Sequence, residues 1–292
     1  MRDDFGNGNY GAGVVRELLN RHGVRLTKSL GQNFLVDRDI PEKIVRSSGI
    51  DESCGVLEVG PGIGALTMEL SRAAGRVLAV ELDRRLIPIL DDVLDGRENT
   101  EIVQGDILKL DIGKMVNEKM PGFRLQVCAN LPYNITSPVL GAIIDSGLFD
   151  TITVMVQREM ARRICAHPGS PDYSAFSVYV NYHAEPSILF SVPPECFYPR
   201  PQVFSSVVMI KVRKERLLAR EVETVFFRVV RAAFGQRRKT LVNALFSAFG
   251  NSMSKESLAD IVNQCGFGAQ IRGETLSVSD FIRLSEYFSE KI

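Results

Sequence analysis

The sequence predicts a doubly wound α/β sheet, mostly parallel with a late, partly antiparallel strand pair, followed by a smaller helical domain. Three observations carry this reading. From residue 55 onward, short runs that are apolar on consecutive positions alternate with amphipathic segments. Such runs suit strands buried on both faces, and the amphipathic segments supply the crossovers that parallel pairing requires. Gly60, Gly62 and Gly64 follow the first of these runs and open a helical stretch, an arrangement in which bare backbone meets a ligand at a helix N-terminus. After residue 213 the strand signal stops and only helical periodicity continues.

With 292 residues and 45% hydrophobic composition, the chain can bury the cores of a large and a small domain. The opening "MRDDFGNGNYGAG" has no apolar core of signal-peptide type, and its first dozen or so residues are expected to fray. A tail and first helix occupy 1–25, the main domain 26–213 and the helical domain 214–292. In the main domain the runs "GVLEV", "RVLAVE", "TEIVQ", "FRLQVCA" and "TITVMVQ" read as strands, with helices at "LTMELSRAAG" and "SPVLGAIIDSG" between them. "PSILFSV" and "FSSVVMIKVR" close the domain as a late, partly antiparallel pair.

Charge and cysteines narrow the setting. The 35 basic residues balance 35 acidic ones, so any nucleic-acid partner must be met by a local patch. The five cysteines are odd in number, widely spaced and without a C-x-x-C pair, which argues against a disulfide framework or a zinc site and fits a reducing cytoplasm. No metal is expected. No run of 18 uncharged apolar residues occurs, so a soluble protein is expected.

The glycine turn "LEVGPGIGALT" leaves two readings open, a ligand cradle or tight strand-to-helix packing. The next strand ends at Glu81, about 20 residues after Gly60, the separation at which an acid meets a ribose diol. Asp106 in "GDIL" stands at the end of the strand after that, where it can accept from an adenine amine. Either acid could instead cap a helix. An adenosine is common to a nicotinamide dinucleotide and to S-adenosylmethionine. Ala65 stands at the third-glycine position of the dinucleotide pattern, and "GPGIGAL" offers a pyrophosphate only backbone; a zwitterionic methionine tail is the better guest.

"CANLPYNITSP" halts the fourth strand with an amide, a proline and a tyrosine. Asn130 thereby reaches the same sheet edge as Gly60, Glu81 and Asp106. If the Asn130 side-chain oxygen and the Leu131 carbonyl each accept one N–H, an exocyclic base amine is drawn toward a tetrahedral shape. Pro132 fixes the turn and Tyr133 offers the base a face. An ordinary Asn-Pro turn with a core tyrosine is the alternative.

These stretches together, "KSLGQNFL", "EVGPGIGALT", "VELD", "QGDIL", "ANLPYNI" and "FYPRPQVFSS", resemble the ribosomal RNA adenine dimethyltransferase family. The resemblance runs in order from about Leu26 to the last helices. It implies a Rossmann-like class I methyltransferase sheet, mostly parallel with its last strand antiparallel, and S-adenosyl-L-methionine as cofactor, bound by Gln32, Asn33, Leu35, Gly60, Gly62, Glu81, Leu82, Asp106, Ile107 and Asn130. It implies catalysis at Asn130, Leu131 and Tyr133, with Phe197 as a second aromatic jaw; without the resemblance Phe197 reads as a core residue. The implied reaction is dimethylation of the N6 amine of two adjacent adenines near the 3′ end of 16S rRNA, by a monomer acting on an assembling small ribosomal subunit. Rivals are a resistance-type 23S rRNA dimethyltransferase, a non-catalytic assembly or transcription factor, and, more distantly, a dehydrogenase.

RNA has a local patch to meet. From Thr224 to Lys255 there is no acidic residue, while Arg228, Arg231, Arg237, Arg238, Lys239 and Lys255 fall there. "GQRRKTLVNAL" reads as a turn before a helix, and cations at a helix start are relieved by an anion. Arg158 and Arg162, four residues apart, add to the patch on one helical face. Arg158, Arg162, Arg231, Arg237, Arg238 and Lys239 are the expected RNA contacts, with an ordinary solvated face as the alternative.

Overall fold

The computed structural model describes residues 11–26 and 31–291. The expected fraying of residues 1–10 and the "KSL" at 28–30 lie outside the described residues. The chain forms two compact units, one of residues 1–161 with 187–212 and the other of 162–186 with 213–292.

In the first unit α1 (Ala12–Arg21) precedes β1 (Phe34–Leu35) and α2 (Asp39–Ser48), and then strands and helices alternate. They are β2 (Cys54–Val59), α3 (Ala65–Ala73), β3 (Arg76–Glu81), α4 (Ile87–Val93), β4 (Thr100–Gln104), α5 (Ile112–Lys119), β5 (Arg124–Asn130), α6 (Thr136–Ser146), β6 (Thr151–Gln157) and α7 (Arg158–Ile164), whose residues from Arg162 on belong to the second unit. After α8 (Ala175–His183) come β7 (Ala184–Val192), β8 (Phe197–Tyr198) and β9 (Ser205–Val212). Every apolar run picked out on sequence is a strand; the central ones are buried on both faces, with all six residues of β2 buried, while β4 is only partly covered and β7 is largely exposed.

The seven-stranded sheet has the order β4-β3-β2-β5-β6-β9-β7. Pairs among β2 to β6 are parallel, and β9 runs antiparallel to β6. Strand order reverses between β2 and β5, the point at which doubly wound sheets open a crevice. A separate antiparallel pair joins β1 to β8, with Phe34 opposite Tyr198 and Leu35 opposite Phe197.

α1 is not a separate element, since Val15, Leu18 and Leu19 bury in the same core as Val56, Leu70 and Cys128. The second unit holds α8, α9 (Arg220–Gly235), α10 (Leu241–Phe249), α11 (Lys255–Gln264) and α12 (Val278–Ser289). Residues 162–186, assigned on sequence to the main domain, cluster here instead. Their apolar side chains explain it: Tyr173, Val178 and Tyr182 share a core with Phe226, Phe249, Phe281 and Phe288, and the Tyr182 and Phe226 rings lie 4.6 Å apart. Ser277 and Asp280 close a capping box that fixes the start of α12.

Candidate active site

Register places the site. Gly55 to Val59 of β2 lie opposite Arg76 to Val80 of β3, so the spacing from Gly60 to Glu81 is the offset of the ladder itself. Glu81 lies opposite Gln104, and Asn130 opposite Met155. The β2–β5 ladder, with Leu57 opposite Val127, brings Asn130 level with Gly60. One rung across the carboxyl edge therefore carries Gly60, Glu81, Gln104 and Asn130, with Asp106 two residues beyond.

A cavity opens on this rung. Gln32, Asn33, Leu35, Gly60, Gly62, Glu81, Leu82, Asp106, Ile107, Asn130, Leu131 and Tyr133 all line it. Gly60, Gly62 and Gly64 take positive φ of 70°, 62° and 87°, and a Cβ at Gly62 would lie 3.0 Å from the Phe34 ring. Only glycine lets the backbone run there.

The Glu81 carboxylate accepts from the Gly62 N–H at 3.1 Å and the Asp83 N–H at 2.7 Å. Burial raises its pKa, and these two bonds oppose the rise. Its remaining lone pairs can accept from a diol. Asp106 Oδ1 accepts from the Leu108 N–H at 3.1 Å, and Oδ2 lies 3.3 Å from the Lys109 ammonium. No helix begins at Asp106, whose bond to Leu108 closes a turn; Asp111 caps α5, and Asp106 lines the cavity.

Asn130 Nδ2 donates to the Asn33 carbonyl at 3.3 Å, which leaves Oδ1 as the acceptor on that side chain. The Leu131 N–H donates to the Met155 carbonyl at 3.1 Å, continuing the ladder into the turn. The Tyr133 hydroxyl and Ser205 Oγ lie 2.8 Å apart. Phe197 is not brought to the cavity: it is 3% exposed and packs in the core cluster. Its β1–β8 pairing with Leu35 seats it behind a lining residue, so the core reading describes where it lies.

Three residues with no assigned role on sequence belong to the site. Glu58 lines the cavity at 1% exposure, and its Oε2 has no hydrogen-bond partner. Burial pushes its carboxyl up to about 8, the Thr67 hydroxyl opposes the rise and Glu81 adds to it. An acid inside an otherwise apolar run was the available signal. Asp83 is held below its ordinary value by the Arg85 guanidinium, and accepts from Gln32 Nε2 at 2.9 Å. Ser205 needed tertiary structure to be found.

The family described as "Ribosomal RNA adenine dimethylase" matches residues 23–288. The chain belongs to the ribosomal RNA adenine dimethylase family. It is 44% identical over 278 residues to a Lachnoclostridium phytofermentans protein named "Ribosomal RNA small subunit methyltransferase A", covering 94% of this chain and 96% of that one. A Pelotomaculum thermopropionicum protein of the same name is 45% identical over 282 residues, covering 94% and 95%. Among solved structures, a dimethyladenosine transferase from Plasmodium falciparum aligns with a TM-score of 0.75 at 26% identity, covering 88% of this chain and 98% of that one. The structure described as 23S rRNA methyltransferase ErmE aligns at 0.69 and 25%, covering 87% and 98%.

The residues present fit the methyl donor of such a dimethylase, S-adenosylmethionine. The bare backbone at Gly60 and Gly62 suits a methionine end, and the orphaned Glu58 oxygen suits a cation near it. Glu81 suits the ribose, and Asp106 with the buried Ile107 suits an adenine amine and ring. Among the described residues no cluster could hold a metal ion, and no helix is long and apolar enough to cross a membrane.

The expected RNA contacts fall in both units. Arg158, Arg162, Arg231, Arg237, Arg238 and Lys239 are all exposed. The turn before α10 is present, closed by the Lys239 N–H to the Gln236 carbonyl at 2.9 Å. Arg237 within it is already engaged, donating to Glu274 at 3.2 Å and to the Pro171 carbonyl at 3.3 Å.

Proposed function

We propose that the protein dimethylates the N6 amine of two adjacent adenines near the 3′ end of 16S rRNA, acting in the cytoplasm as a monomer on an assembling small ribosomal subunit. The observation that carries the chemistry is the position of Asn130, level with Gly60 on the cavity rung and with its amide nitrogen already tied to Asn33. An adenine amine is a poor nucleophile because its lone pair is delocalised into the ring. Asn130 Oδ1 and the Leu131 carbonyl accept its two N–H groups, which favours the tetrahedral nitrogen and frees the lone pair. The face of Tyr133, its hydroxyl fixed by Ser205, holds the ring. S-adenosylmethionine, when bound, supplies a methyl on a sulfonium that leaves readily as a thioether. No strong base is then required, since the proton departs to water after transfer, and the side chains contribute orientation and hydrogen bonding.

Gln32, Asn33, Leu35, Gly60, Gly62, Glu81, Leu82, Asp106 and Ile107 hold the donor in this reading. Arg158, Arg162, Arg231, Arg238 and Lys239 face the RNA, while Arg237 contributes less because its guanidinium is occupied. The names of the bacterial relatives favour the small subunit over the large. Incubation with labelled donor and immature small subunits, followed by mass spectrometry of digested RNA, tests this. Dimethyladenine in the small-subunit RNA is expected; label confined to large-subunit RNA, or none, overturns it.

A further inference from the structure

We propose that Phe204 and Arg158 form a shelf on which the nucleobase next to the target adenine stacks. The shelf rests on the function proposed above and adds a substrate contact outside the residues that hold the donor and the target. Phe204 is 40% exposed and Val203 beside it 45%, an apolar pair on the surface of the catalytic unit. The β6–β9 ladder ends with Gln157 opposite Ser205, and one step further the Arg158 N–H donates to the Phe204 carbonyl at 2.9 Å. The Arg158 guanidinium carbon lies 5.0 Å from the centre of the Phe204 ring. Backbone pairing and cation–π contact therefore fix both groups before any ligand arrives, which lowers the ordering cost of binding.

The shelf is connected to the catalytic turn through one residue. Ser205, next in the chain after Phe204, meets the Tyr133 hydroxyl at 2.8 Å. In this proposal the RNA strand that delivers its target base to Tyr133 runs over the end of β9, where Phe204 and Arg158 stand. Every base has a π-face, so such a platform tolerates sequence. A guanidinium also stacks on bases and pairs with phosphate. Charge decides for RNA over an apolar protein partner, because Arg158 is exposed on the same patch.

The chain contains no tryptophan, so Phe204→Trp places a single indole on the shelf. We expect its fluorescence to be quenched when immature small subunits are added. Phe204→Ala should raise KM for those subunits about tenfold, the effect of losing one base–aromatic stack. Its kcat and its affinity for the donor should change little, and Phe204→Trp should keep KM nearer the parent. An unquenched indole on subunits that are being methylated, or an unchanged KM in Phe204→Ala, overturns the shelf and leaves the proposed function standing. Absence of any methyl transfer by the parent removes the reading on which the shelf rests. A spectral change that grows with protein concentration without RNA identifies a second copy on the patch, and also overturns the proposal.

Discussion

Replacing Glu58 by glutamine keeps the shape of a buried carboxyl and removes its proton equilibrium. The side chain is 1% exposed, and its pKa rises from 4.5 to about 8. Between those values the folded protein holds a proton that the unfolded chain releases, so stability falls as pH rises. The contribution is fully present below the unfolded value, declines by up to about 1.4 kcal/mol per pH unit, and is lost once pH passes the folded value. From about pH 6 to about pH 9 the parent should lose about 2–3 kcal/mol more than Glu58→Gln. Urea unfolding of both proteins at the two pH values measures this, because other titrating groups cancel in the difference. Parallel stabilities would show that Glu58 does not hold its proton in the folded state. The titration also reaches the site: a cationic donor beside Glu58 favours its ionised form. Donor binding near neutral pH should then release a proton from the parent and not from Glu58→Gln, as calorimetry in buffers of different ionisation enthalpy reads.

Three further outcomes follow from the geometry. Asn130→Ala should leave donor affinity within a few-fold while lowering single-turnover rate by about 10²–10³, the scale of losing one preorganised transition-state contact; a near-normal rate would sink the proposed role. Phe197→Ala should lower stability by about 3–5 kcal/mol, as for a large core residue, read as a fall in Tm; a variant as stable as the parent that accumulates monomethyladenine would instead restore the aromatic jaw. Replacing Arg238 and Lys239 by alanine together should weaken RNA binding and reduce its salt slope by about 1–2 without touching donor affinity, and an unchanged slope would return that turn to ordinary surface.

What the sequence made legible was whatever depends on local order along the chain. The β2, β3, β5 and β6 runs are readable because burial on both faces leaves each of them largely apolar, and Gly60 to Glu81 because their separation equals a ladder offset. Residues 162–186 were misplaced because their apolar faces name no partner; only the contact of Tyr182 with Phe226 shows that they pack with the later helices. Arg237 read as part of a free cationic cluster because Glu274, 37 residues on, is invisible to a local count of charge. Phe197 is the converse case: a family pattern gives it a role at the site, while in the structure it is buried opposite Leu35 in register.

The acids of the cavity bear on how the amine loses its proton. Glu81 spends one lone pair of each oxygen on a backbone N–H, and Asp83 is gripped by Arg85 and Gln32. Asp106 is engaged by the Leu108 N–H and the Lys109 ammonium. Glu58 is raised to about 8 by burial, so without the donor it carries a proton near neutral pH. Without the donor, every carboxylate lining the cavity thus either holds a contact from the protein or carries a proton. A mechanism that needed a general base would require a group with a matched pKa within hydrogen-bond reach of the amine. Orientation by Asn130 and Leu131 needs none, because methylation of the amine itself acidifies its N–H enough for water to remove the proton. In the proposed reading the rung therefore supplies the two things this transfer requires, a pair of acceptors at Asn130 and Leu131 and acids that hold the donor.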